Sequence, residues 1–127
     1  MMINSADSTL SGALAEATER ALVEAELRLP PDVLAVLRRA AATERNEIAR
    51  QEFTNILENV ELARERRVPI CQDTGVPVVY ITLPPDVPFS ASLFTGVREG
   101  VHRATAAIPL RPNVVDPLTR ENTGVIP

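Results

Sequence analysis

Apolar residues recur at three- and four-residue intervals through the first half of the chain. Leu10, Ala13, Leu14, Ala17, Ala21, Leu22 and Ala25 mark one face of a helix over 8–28, with Asp7 or Ser8 as its N-cap. Pro30 and Pro31 break that run, because proline lacks the amide that would continue the ladder. Asp32 then starts a second helix with Val33, Leu34, Val36, Leu37 and Ala41 on its apolar side. A third spans about 43–66 and carries Ile48, Ala49, Phe53, Ile56, Leu57, Val60 and Ala63 in a continuous stripe. Its opposite face holds Glu47, Arg50, Glu58, Glu61, Arg64 and Glu65, a solvated surface with opposite charges three and four residues apart.

The pattern changes near residue 69. Of eleven prolines, only Pro30 and Pro31 come earlier. "VPVVYITL" (76–83) is short and rich in β-branched residues, which predicts a strand, and "PPDVPFS" predicts a turn. Ser90 or Ser92 caps a helix over about 92–107, with Leu93, Val97, Val101 and Ala104 facing inward. From Ile108 onward no period is sustained. The expected fold is therefore α+β. Three helices fill the N-terminal half, packed with a small β-sheet around 76–83 and one later helix, and residues 1–127 form one domain.

Composition narrows the function classes. The chain has no Trp, one Tyr and three Phe, so no aromatic cluster is available to stack bases. A net charge of −4 argues further against nucleic acid as a partner. No stretch approaches the roughly 20 apolar residues of a membrane span. The polar opening MMINSADSTLSG lacks the basic and apolar regions of a secretory signal. One cysteine makes no internal disulfide, and a reducing cytoplasm is the expected compartment.

That cysteine sits in "RVPICQDTG" (67–75), a turn bounded by Pro69 and Gly75. A thiolate is a soft ligand suited to iron–sulfur clusters, zinc or Cu(I). The plain alternative is a half-buried packing residue beside a capping Asp73. Zinc is disfavoured, because the sole histidine, His102, lies far along the chain on a predicted helix. A second loop, "LRPNVVDPLTRENTG" (110–124), supplies Arg111 and Arg120, whose planar forks match carboxylate or phosphate. Both arginines also fit an ordinary exposed surface. Asn113, Asn122 and Thr123 add neutral donors, and Gly124 permits close backbone approach. A soft ligand, a carboxylate and two anion binders together suit a dicarboxylate held against a metal.

"NILENVELARERRVPICQDTGVPVVYI", followed by "EGVHRA" and then "LRPNVVDPLTRENTG", resembles the N-terminal part of the iron–sulfur-dependent (class I) fumarate hydratases. The same family includes the α subunits of L-tartrate dehydratases, and the likeness runs from about residue 14 to 124. It implies a [4Fe–4S] cluster held by three cysteines, with Cys71 as the first ligand. It also implies Asp73 as the base that removes the C3 proton of malate, Gln72 as a substrate contact and Arg111 as the partner of a substrate carboxylate. Thr74, Arg120, Asn122 and Thr123 fall in the same motifs and take supporting roles. The implied reaction is reversible hydration of fumarate to malate. Dehydration of tartrate to oxaloacetate is the alternative within that chemistry, and a non-catalytic helical interaction domain is the alternative outside it.

One departure shapes the expectation. Family members continue past RENTG with further residues that contain the other two cysteines, whereas here Val125, Ile126 and Pro127 follow. The chain is thus expected to be a truncated or split N-terminal piece, inactive alone. Its expected partners are a small dicarboxylate, the remainder of the α chain and a β domain or subunit, in a homo- or hetero-oligomer.

Overall fold

The computed structural model describes residues 5–71, 76–111 and 115–121. Four helices account for its regular structure: α1 (Ser5–Leu27), α2 (Pro31–Thr43), α3 (Glu47–Arg66) and α4 (Ala91–Ala107). Their order matches the sequence pattern, and their boundaries differ at instructive places. α1 begins at Ser5, so Asp7 and Ser8 lie within the helix rather than at its cap. Pro30 precedes α2 and Pro31 takes its first position, where a missing amide has no ladder partner to lose.

The predicted helix over 43–66 is shortened at its start. Glu44 Oε1 accepts the amides of Arg45 at 2.7 Å and Asn46 at 2.8 Å, which turns the backbone between α2 and α3. Those amides, Asn46 first, hold the Glu44 carboxyl below its ordinary range. Asn46 then caps α3, its Oδ1 accepting from Ile48 N at 3.0 Å and Ala49 N at 3.1 Å. Asn46→Ala is expected to destabilise the protein by about 1 kcal/mol, with Asn46→Asp close to wild type. A lowered urea midpoint at unchanged m-value is the readout.

The small β-sheet does not form. Among the described residues there is no strand, and the domain is helical. Residues 76–83 are non-helical and free of ladder pairing, with Val76, Val78 and Tyr80 exposed. The reason is the nature of β propensity, which reflects packing on a pleated, half-buried surface. A β-branched run without a neighbouring strand has no ladder to join.

The chain divides into two compact units, Met1–Val23 with Gln72–Pro127, and Glu24–Cys71. In the second unit α2 packs on α3, and Leu27, Val60 and Ala63 are buried. Arg38 reaches Glu61 across this pair at 3.3 Å, and Arg64 meets the same carboxylate at 2.9 Å. Both pairs are exposed, so each contributes at most about 1 kcal/mol. The apolar stripe of α3 is buried only toward its C-terminal end. Ile48 is 77% exposed and Ile56 42%.

In the first unit, α1 and α4 meet along a seam of small residues. A Cβ on Gly96 would lie 2.6 Å from the Ser11 carbonyl oxygen. One on Gly100 would lie 2.5 Å from the Ala15 carbonyl oxygen and 2.5 Å from Thr18 Cβ. Backbones approach so closely only where no side chain intervenes. Ala15 and Thr18 are therefore buried, while Ala13, Ala17 and Ala21 of the predicted stripe are exposed. Leu93, Val101, Ala104 and Ile108 complete this core. Ser90 is the N-cap of α4, and its hydroxyl bonds to that of Ser92 instead of a helix amide.

Candidate functional site

Cys71 is carried by a short segment that leaves the end of α3. Arg67 closes the helix in the left-handed region, at φ 54° and ψ 48°, and reverses the chain before Pro69. Val68 N donates back to Ala63 O at 3.1 Å. Both backbone groups of Ile70 are then tied down. Its amide donates to Glu26 O at 2.9 Å, and its carbonyl accepts from Asn59 Nδ2 at 2.7 Å. The residue next to this double anchor is Cys71, free and exposed. An exposed thiol departs from the half-buried packing alternative and is available to an external ligand.

Asn59 carries no flag in the sequence beyond its identity. An asparagine is a poor interior helix residue, and it stands among the charged positions of α3. Its value appears only when the chain returns after α3 and places a carbonyl within its reach.

The second loop begins where Ile108 caps α4 in extended conformation and donates to Ala104 O at 3.1 Å. Leu110 N bonds to Ile108 O at 2.8 Å, and Arg111 follows, exposed. Further on, Asp116 organises a tight turn. Its Oδ1 accepts the amides of Leu118 and Thr119, both at 2.8 Å. Its backbone pairs with Glu121 O and Arg120 N, both at 2.9 Å. The Thr119 amide, followed by that of Leu118, holds the Asp116 carboxyl below its ordinary range. Arg120 adopts φ 64°, a left-handed conformation that this closed turn enforces on a residue with a side chain. Among the described residues, neither the Arg111 nor the Arg120 guanidinium is engaged by a hydrogen bond or an ion pair.

Gln72, Asp73, Thr74 and Gly75, and likewise Asn113, Asn122, Thr123 and Gly124, lie outside the described residues. Cys71 belongs to the second unit, and Arg111 and Arg120 belong to the first. His102 is exposed on α4. Among the described residues no group of three His, Cys, Asp or Glu side chains is placed to hold a metal ion. No described helix is long and apolar enough to cross a membrane.

Both loops fall within a continuous match to known proteins. Residues 15–127 fit the family profile described as Fumarate hydratase (Fumerase). The chain belongs to this family. A relative from Methanocaldococcus jannaschii, provisionally named L(+)-tartrate dehydratase subunit alpha, is 45% identical over 101 residues, covering 78% of this chain and 35% of its own. A Geobacillus stearothermophilus protein, provisionally named fumarate hydratase class I, is 35% identical over 112 residues, covering 87% of this chain and 22% of its own. The L(+)-tartrate dehydratase subunit alpha of Escherichia coli K12 is 28% identical over 97 residues, 76% of this chain and 32% of its own. These names denote hydro-lyases, enzymes that add or remove water. This member of the fumarate hydratase family spans about a third or less of the length of those relatives.

Proposed function

We propose that this chain supplies the N-terminal part of an iron–sulfur-dependent hydro-lyase that interconverts fumarate and malate. The family match over residues 15–127 carries the reading, and the exposed thiol at the head of the CQDTG loop supports it. A single thiolate is one ligand of the three that a [4Fe–4S] cluster takes in this family. This chain's own donors therefore do not complete the site. Cys71 would hold one corner, and the other two thiolates would come from the length that the relatives carry beyond the matched stretch. When bound, the cluster supplies Lewis acidity toward the substrate's carboxylate and hydroxyl.

The remaining steps fall to side chains. Asp73 takes the C3 proton of malate, the C3–H electron pair forms the C2=C3 double bond and the C2 hydroxyl leaves as hydroxide. In the hydration direction hydroxide adds to C2 and the Asp73 carboxylic acid returns the proton to C3. A proton next to a carboxylate is weakly acidic, so negative charge builds on that carboxylate as the proton leaves. Arg111 pairs with a substrate carboxylate and offsets charge of this kind, and Gln72 orients the substrate. Thr74, Arg120, Asn122 and Thr123 take supporting roles in the two loops. The partners are the remainder of the α chain and a β domain or subunit, in a homo- or hetero-oligomer. Two of the relatives bear the name subunit alpha, which favours that arrangement. A lone free thiol suits a reducing cytoplasm.

Dehydration of tartrate to oxaloacetate is the second reading, favoured by the 45% identity to the M. jannaschii protein. Anaerobic cluster reconstitution of this chain with its complement, followed by assays with fumarate and tartrate, separates the two. Cluster absorption with faster fumarate turnover is expected, and a preference for tartrate transfers the assignment to the second reading. No cluster and no turnover, with the complement present, removes both. Cys71→Ser is expected to lose the cluster and the activity together, and full retention of both would mark the thiol as ordinary surface.

A further inference from the structure

The two motif loops leave one surface of the first unit without a role. The segment 76–83, Phe89 and α4 enclose a groove of about 260 Å³, lined by Val79, Ile81, Phe89, Phe94 and Val101, with Arg98 among them. Phe89 is 82% exposed and Phe94 55%, so two large rings stand in water and covering them is favourable. An open groove with apolar walls and one cationic group offers a seat for an apolar segment that carries a polar anchor. Arg98 adds a chemical signature. Its Cζ lies 5.7 Å from the Phe94 ring centroid, and among the described residues its guanidinium has no carboxylate partner.

We infer that this groove seats an apolar segment bearing a carboxylate, supplied by the part of the hydro-lyase that lies outside the matched stretch. The inference rests on the reading above, in which the chain works with the remainder of its α chain. The relatives provide the length, because the match covers only 35%, 22% and 32% of theirs. The groove itself provides the chemistry, with apolar walls and a cation stacked on one of them. A second copy of this chain fits less well. Two-fold pairing would bring like patches together, and the lining contains arginine and no acidic residue, so cations would be buried without a counter-charge.

The test uses this chain with the remainder of the M. jannaschii α subunit, both as a separate tagged chain and fused in a chimera in which this chain replaces the matched stretch. Hydrogen exchange at residues 78–81 is expected to slow at least tenfold in the chimera relative to this chain alone, and unchanged exchange overturns the inference. Phe89→Asp and Arg98→Glu are each expected to weaken binding of the separate remainder at least tenfold while leaving the melting of this chain unchanged. Binding that ignores both substitutions overturns it. A wild-type dimer by light scattering that Phe89→Asp dissociates also overturns it, since the occupant is then a second copy. None of these readouts needs a cluster or turnover, so an inactive complex with a covered groove sinks the proposed reaction and leaves the docking surface standing.

Discussion

Asp73→Asn in the reconstituted complex is expected to lower turnover by about 10²–10⁴-fold, the usual contribution of a positioned general base. Asparagine keeps the size and most of the shape of the side chain and cannot accept the C3 proton. The cluster absorption should be unchanged, because position 73 lies two residues from the proposed ligand Cys71 and is not itself a ligand. Substrate KM should move far less than kcat, since the lost interaction belongs to the transition state. Equal turnover in the two proteins would remove Asp73 from the mechanism. Loss of the cluster along with activity would assign it to cluster assembly instead.

Gly100→Ala is expected to destabilise the first unit by about 1–3 kcal/mol, although alanine is the better helix former by about 1 kcal/mol. The added methyl would sit 2.5 Å from the Ala15 carbonyl oxygen and 2.5 Å from Thr18 Cβ. A backbone oxygen has no rotamer to escape into, so α1 and α4 must separate. Thermal unfolding reads this as a midpoint lowered by several degrees. Gly12→Ala in α1 is the internal control, because nothing lies within 4 Å of its would-be Cβ. There the propensity gain stands unopposed, and a small stabilisation is expected. If both substitutions shift stability in the same direction, the close helix crossing is not the determinant.

The helices were readable because their signals are local. Alanine- and leucine-rich spacing, the Pro30–Pro31 break and the change of composition at Pro69 each act within a few residues, and the four helices appear in the expected order. The buried face of α1 was not readable from apolar residues alone. Ser11 and Thr18 sit on the seam ahead of Ala13 and Ala17, because the facing positions on α4 are glycines. Gly96 and Gly100, four residues apart, carried that signal, and a count of large apolar side chains passes over them. Segment 76–83 shows the converse case. Its residues have the chemistry of a strand, while strand formation depends on a neighbour that the described residues do not supply.

The same division holds for the candidate site. Cys71, Arg111 and Arg120 are visible as residue types in two motifs, and the motifs sufficed to place the chain in its family. How Cys71 is presented could not be read from them. The Glu26 carbonyl lies on α1, far back along the chain, and Asn59 on α3; both meet Ile70 only once the chain has turned back after α3. By itself, then, the order of amino acids determined helix positions, family and the inventory of reactive groups, all of which depend on neighbours in the chain. Tertiary structure decided which helix face is covered, that the β-branched run stays unpaired and that the thiol faces solvent. Those outcomes depend on surfaces brought together from distant segments, and no local pattern encodes the shape of a surface it has yet to meet.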